Sequence, residues 1–241
     1  MLLYEFTGIA SNEYTLGDAV EFHDDLNPLL FKNGVMLPEI REGLLKIAKH
    51  FEEFIGVELD VVDITVSGSN AAYSYTPYSD IDLHIVVNVP DTEEYVELLD
   101  AKKNNYNTLH DIKVKGIDVE LYAQDSEEVH HSLGIYSVLN NEWVSKPKKE
   151  HPEIDSYDVI EKYENYVQRI HRAIQQGDLE TAKDAWSTIR KVRQSGLEKF
   201  GEYGTENLAF KLLRNSGVLE KLKNHINTLT DQELSVEDWE L

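Results

Sequence analysis

The chain contains no cysteine in 241 residues. That excludes disulfides and thiolate metal sites, and it suits a cytoplasmic location. It also lacks any apolar run near the roughly 20 residues that a membrane span requires. The first residues, MLLYEFTGIASNEY, have no basic segment and carry an early Glu5, so they do not read as a signal peptide. Positive charge is scarce. Only 23 Lys and Arg stand against 45 Asp and Glu, a net charge of -22. Such a surface repels nucleic-acid backbones and argues against duplex binding. No internal repeat or low-complexity tract is apparent.

What is present suits a globular protein. Hydrophobic residues make up 41% and charged residues 28%, and the length can bury a substantial core. The few basic residues are unevenly placed. Residues 183–223 hold nine of them, including Arg190, Lys191, Lys211 and Arg214, against five acids. This segment is either a solvated helix surface or a site for an anion.

Residues 1–36 read as irregular, with HDDLNPL and KNG as turns. PEIREGLLKIAKHFEEFI (38–55) reads as a helix with Pro38 in its first turn and Gly56 as its stop. VELDVVDITVS (57–67) is a strand. GSNAAYSYTPY is a turn, SDIDLHIVVNV (79–89) a second strand, and residues 91–107 a short helix and loop. KVKGIDVELYAQ (113–124) is a third strand. KPKKEHPEIDS (146–156) is a linker by composition. Beyond it, apolar residues recur at helical spacing in four segments, with Trp186 and Phe200 expected in their core. The expected fold class is therefore α/β (α+β), with a domain over 1–150 and a helical domain over 151–241. The closing DQELSVEDWEL reads as an acidic, loose tail.

The second strand carries an anomaly. Ile81, Leu83 and Ile85 point one way, while Asp80, Asp82 and His84 point the other. Two carboxylates two residues apart on a strand lie roughly 7 Å apart at their Cα atoms. If their oxygens approach to 4 Å, repulsion at an effective dielectric near 20 is about 4 kcal/mol. A cation between them removes that cost, and Mg²⁺ favours a few carboxylates plus phosphate oxygens. The third strand offers Glu120 or Asp118 as a further ligand. Glu120 is preferred because it sits mid-strand, whereas Asp118 is nearer the Lys-Gly bend. Gly68-Ser69, between two apolar strands, can supply a sharp turn that cradles phosphate.

The run GSNAAYSYTPYSDIDLHIVV followed by IDVELY resembles the signature of the DNA polymerase beta-type nucleotidyltransferase superfamily. The likeness covers residues 57–125. EWVSKP and TENLAFKLLRNSG are also similar to segments of phage-encoded nucleotidyltransferases. The resemblance implies an enzyme using a nucleoside triphosphate and two Mg²⁺ or Mn²⁺ ions. Asp80 and Asp82 would hold metal on the triphosphate, and Glu120 would hold the second metal and help deprotonate an acceptor hydroxyl. Gly68 and Ser69 would bind the β- and γ-phosphates. Lys211 and Arg214, or Arg190 and Lys191, would close over them. The acidic charge points to a small molecule, a nucleotide or a protein as acceptor, with an RNA 3′ end as the alternative. A catalytically silent nucleotide-binding module is a rival reading. So is a structural protein whose acidic strand faces a partner. His84, His130-His131 and the tyrosines Tyr73, Tyr75 and Tyr78 are expected mainly in surface and loop packing. The sequence carries no sign of oligomeric state.

Overall fold

The computed structural model describes residues 14–89, 93–128 and 132–235. In chain order the elements are α1 (Leu16–Ala19), β1 (Phe31–Lys32), β2 (Val35–Met36), α2 (Pro38–Ile55), β3 (Val61–Ser67) and a 3-10 turn (Ser69–Ala71). Then follow β4 (Ile81–Val87), α3 (Glu93–Leu109), β5 (Lys113–Val114), β6 (Ile117–Asp125), β7 (Ile135–Ser137) and β8 (Glu142–Ser145). The helices α4 (Ser156–Gln176), α5 (Leu179–Phe200), α6 (Thr205–Asn215) and α7 (Val218–Leu234) complete the described chain. Two compact units result: residues 21–151, and a helical unit joining residues from Pro152 onward to those up to Val20. The sequence expectation placed residues up to Val20 in the front domain. They pack with the helices because Asn215 donates to the Asp18 carbonyl at 2.6 Å and Tyr14 reaches the Asn215 carbonyl.

The unit of residues 21–151 is built on a six-stranded mixed sheet in the order β5-β6-β4-β3-β7-β8. β4 and β6 run parallel, with α3 in the chain between them, and the other pairs are antiparallel. One sheet face is apolar. Ile64, Val66, Ile81, Leu83, Ile85 and Leu121 are all buried there with Leu44, Ala48 and Phe51 of α2. Each such side chain contributes about 1.5–3 kcal/mol on full burial. The opposite face of the same strands is left to polar residues, which is where the acidic pair falls.

Several local expectations are refined. The region up to residue 36 is not wholly irregular, since α1 and the β1–β2 hairpin lie in it. Two-residue strands are too short to show a period, although Asn33-Gly34, with φ of 53° and 78°, makes the hairpin turn the sequence signals. α3 is a full seventeen residues. The third strand is split into β5 and β6 by Lys115-Gly116, both at positive φ. Asp80 precedes β4 by one residue rather than lying inside it.

In the helical unit, Asp155 caps α4 by accepting from the Tyr157 and Asp158 amides, and Asp178 caps α5 through Thr181. Val167, Ile170, Ile189, Leu208, Leu212 and Leu222 are buried. Phe200 is not core: it ends α5 ahead of Gly201 and is 67% exposed. Trp186 is half-buried. The segment from residue 231 continues α7 as far as Leu234, with Ser235 as its cap, and residues 236–241 of the acidic tail lie outside the described residues. No helix among the described residues is long and apolar enough to cross a membrane.

Candidate active site

The site grows from the end of β3. Ser67 pairs with Asp82 across the β3–β4 ladder. The next residue, Gly68, adopts φ 73° and ψ -164°, a region essentially closed to residues with a side chain. The reason is visible. A Cβ on Gly68 would lie 1.9 Å from Asp82 Oδ2. The glycine opens the space that the carboxylate fills.

The chain then makes its 3-10 turn and returns to β4 as a loop closed by side chains. Asn70 is fully buried. Its amide donates to the carbonyls of Ser79 (3.0 Å) and Asp80 (2.8 Å), and its oxygen accepts from Asn27 at 2.7 Å. Ser69 Oγ lies 2.8 Å from Ser79 Oγ, which accepts from the Thr76 amide. The backbone of Asp80 is therefore held by a side chain ten positions earlier. Replacing Asn70 by Ala leaves buried carbonyls and the Asn27 amide without their partner. The expected result is a loss of about 2–3 kcal/mol of stability, read by urea denaturation, with turnover falling in the folded fraction as well.

Parallel pairing of β4 and β6 sets Asp82 beside Glu120. Asp80, Asp82 and Glu120 are each partly buried, and one oxygen from each lies within 4.8 Å of the others. At that separation each pair repels by about 3 kcal/mol at an effective dielectric of 20. Three hard oxygen ligands gathered against that repulsion fit Mg²⁺ or Mn²⁺, with phosphate oxygens or water completing the shell. Asp118 is turned elsewhere. It forms an ion pair with Lys113 across the β5–β6 hairpin and is 62% exposed. Asp118→Asn is expected to leave turnover within about twofold of wild type, since exposed pairs contribute little. Glu120→Gln, measured in the same assay, should not be tolerated.

Beside the carboxylates the structure adds Ser132, and it places the other residues that the sequence singled out. Ser132 Oγ accepts from the Gly68 amide at 3.2 Å, so that amide is already engaged. His84 is half-buried rather than a surface residue, 3.0 Å from Ser67 Oγ, and it stacks on Tyr122. Burial, and then the charges of Asp82 and Glu120, push the Tyr122 hydroxyl far above its ordinary pKa. Tyr75 packs face to face on His23 at 3.8 Å, Tyr78 is 47% exposed, and Tyr73 lines a cavity of about 550 Å³ with Trp143 and Lys146. Lys211 is ion-paired with Glu202 at 3.5 Å within the helical unit, and Arg214 lies in the last turn of α6. Arg190 and Lys191 line a surface cavity on α5 with Trp186. His130-His131 lie outside the described residues.

Comparison with known proteins bears on the same segment. The nucleotidyltransferase domain family model matches residues 44–131, which contain β3, Gly68, all three carboxylates and β6. No curated protein sequence matches the chain significantly. Among solved structures, a STING-associated CdnE c-di-GMP synthase from Capnocytophaga granulosa is 12% identical over 82% of this chain and 83% of that one, with a TM-score of 0.22. Likeness at that level does not establish a shared architecture. The family match and the acidic cluster fall on one stretch of chain: residues 44–131 match the nucleotidyltransferase domain family, and Asp80, Asp82 and Glu120 converge within them.

Proposed function

We propose that the protein transfers a nucleoside monophosphate from a nucleoside triphosphate to an acceptor hydroxyl and releases pyrophosphate. The observation that carries this reading is the convergence of Asp80, Asp82 and Glu120 within 4.8 Å beside the Gly68 turn. Asp80, Asp82 and Glu120 would hold the divalent metal, which would bind the triphosphate end. Bound Mg²⁺ or Mn²⁺ would neutralise phosphate charge and lower the pKa of the acceptor hydroxyl. Ser69 and the backbone of its turn orient the β- and γ-phosphates. Glu120 takes the acceptor's proton as its oxygen attacks the α-phosphorus and the bond to the β-phosphate breaks. In this reading residues 21–151 are the catalytic unit. The net charge of -22 favours a small molecule, a nucleotide or a protein as acceptor.

The test is incubation of the protein with each α-labelled nucleoside triphosphate and Mg²⁺ or Mn²⁺, with candidate acceptors of the three classes supplied separately. Label transfer and pyrophosphate release by wild type, absent in the Asp80→Ala/Asp82→Ala double variant, are the expected outcome. Triphosphate binding without any transfer would instead mark a silent nucleotide-binding module.

A further inference from the structure

Glu120 stands on a strand that has another strand beside it on one side only. β4 runs along the inner edge of β6 from Val119 to Asp125, whereas β5 pairs with its outer edge at Ile117 and Asp118 and no further. Past Asp118 the outer edge turns amides and carbonyls away from the sheet, and each needs a partner. At Leu121 the need is acute, because that residue is buried and water cannot serve.

The helix α3 takes the place of the missing strand there. Asn107 Nδ2 donates to the Leu121 carbonyl at 2.8 Å, and Asn107 Oδ1 accepts from the Leu121 amide at 3.1 Å. One side-chain amide thus makes both bonds that a neighbouring strand would make. On the other side of Glu120, the Val119 amide donates to the Ile112 carbonyl at 2.9 Å. Both chain neighbours of Glu120 are therefore held from outside the sheet. One helical turn before Asn107, Lys103 Nζ lies 5.9 Å from the centre of the Tyr122 ring, so α3 grips β6 at two successive residues. Asn107 is itself well anchored. The adjacent Tyr106 is buried and packs edge-on against Phe51 and Phe54 of α2.

This grip bears on the acidic cluster. Parallel register sets Glu120 opposite Asp82, and mutual repulsion of the carboxylates drives β6 away from β4. A strand paired on one side gives way to such a force more readily than one held on both. Asn70 fixes the backbone of Asp80, and Asp82 fills the space over Gly68. Asn107 is the corresponding restraint on the third member.

We propose that Asn107 is a positioning residue for Glu120: by closing both bonds to Leu121 it keeps the third carboxylate within reach of a cation shared with Asp80 and Asp82. This rests on the reading above that the cluster binds a divalent cation. Asn107 acts only through the β6 backbone and touches neither substrate nor reacting atoms.

The test is Mn²⁺ titration of the full chain without nucleotide, the free ion being counted by electron paramagnetic resonance. Wild type, Asn107→Ala, Glu120→Gln and the double variant are compared at a temperature where circular dichroism shows each to be folded. Asn107→Ala should melt lower and bind Mn²⁺ about tenfold more weakly, as expected when the support of a metal ligand is removed. The double variant should bind no more weakly than Glu120→Gln alone, because both changes act on one ligand. An asparagine that merely covers a sheet edge would lower the melting temperature and leave Mn²⁺ affinity unchanged. That result, or losses that multiply in the double variant, would overturn the inference and leave the metal site standing. Absence of Mn²⁺ binding by wild type would overturn the metal site and the inference with it. Should Asn107→Ala not fold, Asn107→Gln takes its place, with the same donor and acceptor on a longer stem. It should bind Mn²⁺ more weakly than wild type, and wild-type affinity there would sink the proposal.

Discussion

Asp82→Asn should abolish nucleotidyl transfer and at the same time make the metal-free protein more stable. The substitution keeps the shape that fills the space over Gly68 but removes one of three negative charges gathered within 4.8 Å. The cluster would then lose its hold on the cation proposed to stabilise the transition state, and turnover should fall by about a thousandfold or more. Stability moves the other way. Two repulsive pairs disappear, and after solvent screening of these half-buried groups the gain is roughly 1 kcal/mol. For a chain of this length that corresponds to a melting temperature about 2–4 °C higher. Calorimetry in EDTA beside the transfer assay checks both signs. A fall in melting temperature with activity lost would mean that Asp82 supports the fold rather than a cation.

Gly68→Ala should be the most damaging single change outside the carboxylates. Two independent causes act together. The backbone at φ 73° and ψ -164° is strained for any residue with a Cβ, at about 1–3 kcal/mol. The added methyl would also sit 1.9 Å from Asp82 Oδ2. That contact cannot be accepted, so the carboxylate must leave its place between Asp80 and Glu120. A displacement of about 1 Å at a reacting centre costs about a hundredfold in rate. The expected variant folds, melts lower, and has turnover reduced by at least about that factor. Wild-type turnover with a lowered melting temperature would show that the glycine serves only the turn. Comparison with Gly34→Ala separates the two causes. Gly34 also has positive φ, but a Cβ there meets nothing within 4 Å, so only the backbone penalty should appear.

The parts of the site legible in the sequence are those that strand periodicity carries. Alternation placed Asp82 and Glu120 opposite the apolar residues Leu83 and Leu121, and parallel pairing of β4 with β6 brings them side by side. The choice between Glu120 and Asp118 also had a physical basis, since Asp118 lies near the hairpin bend and is drawn to Lys113. The parts that were not legible depend on contacts distant in the chain. Asn70 looks like any loop asparagine until Asn27, 43 residues earlier, and the carbonyls of Ser79 and Asp80 are seen around it. Tyr122 could be placed on the polar face but not against His84, because register between strands is absent from either strand alone. Lys211 stood out as a cation, and its ion pair with Glu202 was not legible in the sequence. Phe200 stood out as an apolar residue at helical spacing, yet it ends its helix in solvent. Hydrophobicity predicts burial well within an element and poorly at its last turn.

The measurement that tests the central claim most directly is a crystal structure of the protein with Mn²⁺ and a non-hydrolysable nucleoside triphosphate, collected at the manganese edge. The account predicts anomalous density within direct coordination distance of Asp80, Asp82 and Glu120, with the triphosphate running from that density to the turn at Gly68 and Ser69. Triphosphate bound at another surface, or ordered at this turn with no metal beside the three carboxylates, would contradict it.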